Sequence, residues 1–212
     1  MMPVRHEVIR ALLTAGVVGL SFDQPRVFKS GIQSPVYLDN RKLLFHPQAW
    51  RTVVEALVQD ARELMTENTV IAGIETAGIP HSSVLAYALE LPSVFVRKQA
   101  KDHGLRQRVE GGDVAGRPVI LIEDQITTGG SSLSGVEALR DAGGQVAHCL
   151  AITSYGLSMS TESFADAGVA VHVLAEFADI FTQMRRDNHV TPDQATMIAA
   201  WLENPTGWVL NR

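Results

Sequence analysis

The sequence predicts an α/β fold, a parallel sheet flanked by helices, on three observations. Short apolar runs recur at 69–74, 93–96, 118–122, 146–153 and 170–174. They are mostly apolar and too short for helices, as strands buried on both faces are. Helical stretches alternate with them, the order that a parallel sheet with crossover helices requires. Along the chain, helix signals appear at 6–15 and more strongly at 47–65. There Trp50, Val53, Val54, Leu57, Val58, Ala61 and Leu64 form one apolar stripe behind a first-turn proline, Pro47, and this stripe is core. Leu133, Val136 and Leu139 recur at helical spacing up to Gly143, and a last helix is expected over 192–203. Residues 46–176 form the α/β core, with 1–45 as an amino-terminal part and 177–212 as a C-terminal helical appendage. No repeat, low-complexity tract or flexible linker divides these parts, so one compact unit is expected.

Composition narrows the function classes. A chain of 212 residues, 46% hydrophobic, can bury a substantial core. No long apolar run suggests a membrane span. Arg5, His6, Glu7 and Arg10 break up the layout of a signal peptide, so a cytoplasmic location is expected. Cys149 is the only cysteine and sits in an apolar run, which marks a small buried hydrophobe and rules out an intrachain disulfide. The net charge of −5 argues against a nucleic-acid partner, so an anion site must come from local clustering of bases. His46, His81, His148, His172 and His189 lack ligand spacing, and no dedicated metal site is expected.

The chemistry is concentrated where the run ending at Ile122 meets Glu123, Asp124, Gln125, Ile126, Thr127, Thr128, Gly129, Gly130, Ser131 and Ser132. A strand followed by small residues and then a helix exposes backbone N–H groups at the positive helix end, which hold an anion. The threonines and serines add hydroxyl donors. Glu123 and Asp124, at the carboxyl end of the strand, accept hydrogen bonds from two vicinal sugar hydroxyls. Together they describe a site for a sugar that carries a phosphate; the plainer alternative is a strand-turn-helix with two solvated acids. Neither G-x-G-x-x-G nor G-x-x-x-x-G-K-[ST] is present, which removes the dinucleotide fingerprint and the P-loop. A second cluster, Arg97, Lys98, Lys101, His103, Arg106 and Arg108, follows another apolar run and is bounded by glycines. It reads as a basic lid with hinges, or more simply as a solvated loop. Asp39, Asn40 and Arg41 read as a satisfied turn or sheet-end network rather than as catalytic groups. Trp201 and Trp208 are expected to pack the tail.

The acid pair and following turn resemble the fingerprint of the phosphoribosyltransferases that use phosphoribosyl pyrophosphate (PRPP). Phe28-Lys29-Ser30-Gly31, Tyr37 to Arg41, Gly73 to Pro80 and Val96 to Lys98 with Lys101 to Gly104 extend the resemblance to the orotate phosphoribosyltransferases over most of the chain. The resemblance implies transfer of phosphoribosyl from PRPP to orotate in pyrimidine synthesis, with Mg²⁺ held mainly by PRPP and water. It makes residues 1–45 a small hood over the base. It places PRPP on Arg97, Lys98, Lys101, His103 and the stretch Glu123 to Ser131, and pyrophosphate on Thr76, Ala77 and Gly78. It places orotate by Thr127, Phe28, Lys29 and Tyr155, with Lys101, Asp124 and Glu123 as the catalytic groups. It also implies a homodimer with shared active sites, in which the basic loop reaches the partner's PRPP.

Two positions depart from the pattern of some members. Ala77 stands where some have lysine, so backbone N–H groups and hydroxyls must serve the pyrophosphate. Ser154-Tyr155-Gly156 stands where others have an Asp-Arg pair whose arginine meets the orotate carboxylate. Either Tyr155 lies by the base, or Lys29 and main-chain donors hold it. A PRPP transferase for another base and a PRPP-sensing regulator that binds nucleic acid are the rival readings.

Overall fold

The computed structural model describes residues 2–99 and 108–210. The chain opens with helix α1 (Met2–Thr14), then four short strands, β1 (Val18–Leu20), β2 (Arg26–Val27), β3 (Gln33–Ser34) and β4 (Val36–Leu38). β1 pairs with β4 and β2 with β3, both antiparallel, so residues 18–38 fold into two small ribbons beside the main sheet. A 3₁₀ turn (Asn40–Phe45) leads into α2 (Pro47–Leu64).

The main sheet is built from β5 (Val70–Ile74), β6 (Ser93–Val96), β7 (Val109–Glu110), β8 (Pro118–Ile126), β9 (Gln145–Ser154) and β10 (Ala170–Glu176). Helices α3 (Gly78–Leu89), α4 (Gly130–Asp141) and α5 (Ser158–Asp166) link its strands, and α6 (Phe177–Arg186) and α7 (Pro192–Glu203) close the chain. The strand order is β10-β9-β8-β5-β6-β7; all pairs are parallel except β6 with β7. The chain therefore winds outward from β5 to β6, returns to the other side of β5 as β8, and winds outward again. β5 and β8 flank the point where the winding reverses, and in open α/β sheets ligands bind outside the carboxyl ends of the strands at that point.

Alternation along the strands divides the core in two. Ile120 and Ile122 pack with α1, α2, α6 and α7 on one face, and Val119 and Leu121 pack with α4 and α5 on the other. The parallel α/β architecture matches the fold class that the sequence predicts, and β6 and α7 fall on the expected bounds. β8 is longer than its apolar run because Glu123 and Gln125 keep register with Ala151 and Thr153 of β9. Two elements are additional. β7 has only two residues, too few for a pattern. α6 carries Phe177, Ile180, Phe181 and Met184 buried at helical spacing, but it begins directly after β10 with no turn signal between them.

Trp201 packs the tail, as expected from sequence, and does so against the amino-terminal ribbons and the sheet end. It is fully buried, its Nε1 donates to the main-chain oxygen of Gln33 at 2.8 Å, and its ring lies 5.4 Å from Tyr155 and 6.1 Å from Phe177. The C-terminal helix thus secures the amino-terminal ribbons to the sheet. Fully burying an aromatic of this size contributes about 3 kcal/mol.

Candidate active site

A cleft of about 720 Å³ opens at the carboxyl ends of β5 and β8. Its floor holds Glu123 and Asp124 from β8 and the turn Thr127, Thr128, Gly129, Gly130, Ser131 and Ser132. One wall is Glu75, Thr76, Ala77 and Lys98; the opposite wall comes from the amino-terminal ribbons and includes Arg26, Phe28, Lys29, Tyr37, Asp39 and Arg41.

The turn that follows β8 has the features an anion needs. Gly129 is the N-cap of α4 at φ 82, a left-handed conformation, and no side chain caps the helix. A Cβ at Gly129 would come within 2.9 Å of the Phe164 ring, so position and conformation both demand glycine. The uncapped first-turn N–H groups, at the positive end of a 12-residue helix, face an anion favourably. Gln125 Nε2 donates to Thr127 Oγ1 at 3.2 Å and steadies the start of the turn. Across the cleft, α3 starts at Gly78 with no side-chain cap, after Ala77. A Cβ at Gly78 would stand 2.6 Å from the carbonyl oxygen of Ile122, so glycine lets the start of α3 approach the end of β8. Glu75 Oε2 accepts from the Lys98 N–H at 2.9 Å and joins this loop to the first residues beyond β6.

The acid pair is buried at its root. Glu123 is 6% exposed; Ser132 Oγ donates to its Oε2 at 2.9 Å and the Asp124 N–H to its Oε1 at 3.2 Å. Burial, reinforced by the neighbouring Asp124 charge, pushes the Glu123 carboxyl well above the usual carboxylate range. Burial raises Asp124 as well, against the pull of the hydrogen bond from Glu123 and the charge of Arg41. Two close acids with raised affinity for a proton gain from ligand hydroxyls that donate to them and from cations nearby. Asn40 holds the strand end from below: its Nδ2 donates to the Asp124 main-chain oxygen and to Thr153 Oγ1, both at 2.7 Å. Sequence reasoning placed Asn40 in a sheet-end network, and its contacts agree with that.

The candidate residues divide into three groups. Glu123, Asp124, Gln125, Thr127, Thr128, Gly129, Gly130, Ser131, Thr76, Ala77, Lys98, Phe28 and Lys29 line one cleft; Gly78, next to Ala77, is buried and outside its lining. Ile126, Arg97 and Tyr155 do not line it. Ile126 is 1% exposed with its side chain in the core, and Arg97 pairs with Glu110 through Nη1 at 3.1 Å. Tyr155 corrects the expectation of a base contact. It is 4% exposed, its hydroxyl accepts the Leu38 N–H at 3.1 Å, and its ring packs among Phe28, Phe177 and Trp201. Its place is beneath Phe28, supporting the wall. Lys101 and His103 lie outside the described residues. Arg26 and Arg41 in the cleft wall were not singled out from sequence as ligand contacts. Arg26 carries no motif signal, and Arg41 was absorbed into the turn network.

Among the described residues no three or more His, Cys, Asp or Glu side chains gather to hold a metal ion. Glu75, Glu123 and Asp124 are nonetheless oxygen donors at the cleft, which suits a Mg²⁺ ion carried on substrate phosphates with its waters. Among those residues, too, no helix is long and apolar enough to cross a membrane.

Comparison with known proteins agrees with this geometry. Residues 40–169 match the family described as the phosphoribosyl transferase domain. The orotate phosphoribosyltransferase of Listeria monocytogenes serotype 4b is 36% identical over 98% of this chain and 99% of its own. That of Cytophaga hutchinsonii is 35% identical over 95% and 97%. The crystal structure of orotate phosphoribosyltransferase from Aeropyrum pernix superposes with a TM-score of 0.74 at 28% identity, over 87% of this chain and 99% of that one. Leishmania donovani UMP synthase shares the fold, with a TM-score of 0.80 at 24% identity; the match spans 93% of this chain and 42% of that longer one. By sequence and fold, the chain belongs to the phosphoribosyltransferase family, among the orotate phosphoribosyltransferases.

Proposed function

We propose that this protein transfers the phosphoribosyl group of PRPP to orotate, giving orotidine 5′-monophosphate and pyrophosphate in pyrimidine nucleotide synthesis. The observation that carries this reading is one cleft in which the buried acids Glu123 and Asp124 lie between two uncapped helix starts. The turn Thr127 to Ser131 receives the 5′-phosphate, the ribose hydroxyls donate to Asp124 and Glu123, and Thr76, Ala77 and Gly78 face the pyrophosphate. Phe28, Lys29 and Thr127 bound the place left for the base.

In the reaction the bond from ribose C1 to pyrophosphate breaks and its electron pair leaves on pyrophosphate, while N1 of orotate forms the new bond to C1 and gives up its proton, which the departing pyrophosphate accepts. C1 becomes oxocarbenium-like, and the Asp124 carboxylate beneath the ribose stabilises that charge without forming a covalent bond, with Glu123 beside it as a hydrogen-bonding partner of the ribose hydroxyls. Mg²⁺ bound to the PRPP oxygens would neutralise charge on the departing pyrophosphate. Lys98 adds a cationic donor at the cleft; Arg97, Lys101 and His103 are assigned to the neighbouring subunit's PRPP, with Lys101 as the partner of the leaving group. Donors of this kind act most strongly where water is excluded. The working unit is a homodimer in which the basic loop of each subunit serves the neighbour's PRPP, and the enzyme works in the cytoplasm.

The test is a base panel of orotate, uracil and hypoxanthine, each offered with PRPP and Mg²⁺, read by pyrophosphate release. Release with orotate alone supports the reading. Release with hypoxanthine and none with orotate keeps the transferase class and overturns the substrate.

A further inference from the structure

Orotate differs from uracil by one planar anionic carboxylate, so an enzyme that selects orotate needs a group for that carboxylate in its base site. Tyr155 is spent on the Leu38 N–H and lies beneath the wall. The wall of the cleft formed by the amino-terminal ribbons offers three cations, Arg26, Lys29 and Arg41.

They are not equivalent. Lys29 is exposed, with no hydrogen bond or ion pair among the described residues, and an ammonium is a point charge with no preferred plane. The Arg26 guanidinium stands 5.9 Å over the Tyr37 ring. Arg41 alone is fixed by two hydrogen bonds from one edge: Nε to Asp39 Oδ1 at 2.6 Å and Nη2 to Asp39 Oδ2 at 3.0 Å, with the Tyr37 hydroxyl at 3.5 Å. Its Nη1 makes no hydrogen bond among the described residues, and the side chain is 59% exposed in the cleft. Asp39, at 21% exposure, is the more anchored member of the pair and sets the plane of the guanidinium. The Arg41 charge also acts on Asp124, which places the guanidinium within electrostatic reach of the acid pair under the ribose. Phe28 and Lys29, which bound the place proposed for the base, belong to the same wall as Arg41.

We propose that Arg41, oriented by Asp39, is the specificity-determining residue that receives the carboxylate of the base through its Nη1/Nη2 edge. The inference rests on the orotate reading and deepens it. Asp39 holds the Nε edge of the guanidinium, and among the described residues the Nη1/Nη2 edge meets only the Tyr37 hydroxyl at 3.5 Å, so the fork is in place before the base arrives. A planar fork matched to a carboxylate is the strong, directional form of a charged hydrogen bond. A base without the carboxylate leaves that edge unpaired and is rejected for that reason.

The experiment measures kcat and KM of the full-length protein for orotate and for uracil, with PRPP and Mg²⁺, in the wild type and in Arg41→Gln, Arg41→Lys, Asp39→Asn, Arg26→Gln and Lys29→Gln. The expected result for Arg41→Gln is a rise in the KM for orotate of roughly 10²-fold, with the KM for PRPP changed less than about threefold. Its preference for orotate over uracil falls by a similar factor, because uracil loses nothing. Arg41→Lys, which keeps the charge and loses the fork, falls between. Asp39→Asn shows the same orotate-selective rise on a smaller scale, because Arg41 remains but is less well held. Arg41 is exposed and buries no core surface, and a thermal melt of each variant verifies folding. An unchanged orotate-to-uracil preference in folded Arg41→Gln or Arg41→Lys overturns the proposal. Collapse of the preference in Arg26→Gln or Lys29→Gln instead of Arg41→Gln also overturns it. A wild type that fails to prefer orotate overturns the substrate reading itself, and that outcome is visible before any variant is made.

Discussion

The Asn40 carboxamide donates to the main-chain oxygen of Asp124 at 2.7 Å, although the two residues are 84 positions apart. The residue that begins the 3₁₀ turn after the ribbons therefore sets the height of the acid pair. Replacing it with alanine leaves the buried Asp124 oxygen and Thr153 hydroxyl short of a donor. Asn40→Ala should lose about 1–3 kcal/mol of stability, read as a lower urea midpoint. Turnover should fall more than the KM for PRPP rises, because the phosphate turn keeps its own contacts.

Asp124→Asn keeps the size of the side chain and removes the charge that complements the forming cation. Turnover should drop roughly 10²-fold or more, the scale of losing one preorganised electrostatic contact, with little change in the melting temperature. Steady-state kinetics beside a melt checks it. Full activity would take Asp124 out of the chemistry.

The raised proton affinity of Glu123 has a pH consequence with a definite sign. In the native protein without ligand the carboxyl holds its proton above the ordinary value of 4.5, because it is buried beside Asp124. In the unfolded chain it releases the proton near that ordinary value. Between the two the native state binds more protons, so stability falls as pH rises through that window and is level on either side of it. Glu123→Gln removes this slope. Urea unfolding at a series of pH values should show the variant gaining on the wild type as pH increases from the ordinary carboxyl value; a parallel dependence would mean that Glu123 is ionised in the fold.

Tyr155→Phe removes the hydroxyl that accepts the Leu38 N–H in a buried setting. Stability should fall by about 1–3 kcal/mol, and the KM values for orotate and PRPP should move together or not at all. A selective rise in the orotate KM would return Tyr155 to the base site.

The fold and the strand-to-helix turn after the acid pair were readable in the sequence because each follows from a local rule. Continuous apolar runs mark buried parallel strands, and Gly129 and Gly130 after an acid pair mark a strand-to-helix turn built for an anion. Tyr155 was misplaced for a different reason. It follows β9 at the end where ligands gather, and nothing local to Ser154-Tyr155-Gly156 tells whether the ring turns into the cleft or beneath it. Its partners, Leu38, Phe28 and Trp201, come from both ends of the chain. Arg41 and Asn40 were legible as a turn network, but the joining of that turn to Asp124 is a tertiary contact without a local signature.

Shared sites predict complementation. If Lys101 serves the neighbouring subunit's PRPP, Lys101→Ala and Asp124→Ala proteins are each nearly inactive alone. After subunit exchange, each mixed dimer carries one intact site. Equal amounts give about half mixed dimers, so roughly a quarter of wild-type activity should return. Exchange without recovered activity assigns Lys101 to its own subunit.

The most direct measurement identifies the product. With orotate, PRPP and Mg²⁺, the protein should form orotidine 5′-monophosphate with its base on the β face of C1, in equal amount to the pyrophosphate released, as read by NMR of the reaction mixture. Pyrophosphate released with ribose 5-phosphate and unchanged orotate, or PRPP left intact, would contradict phosphoribosyl transfer to orotate.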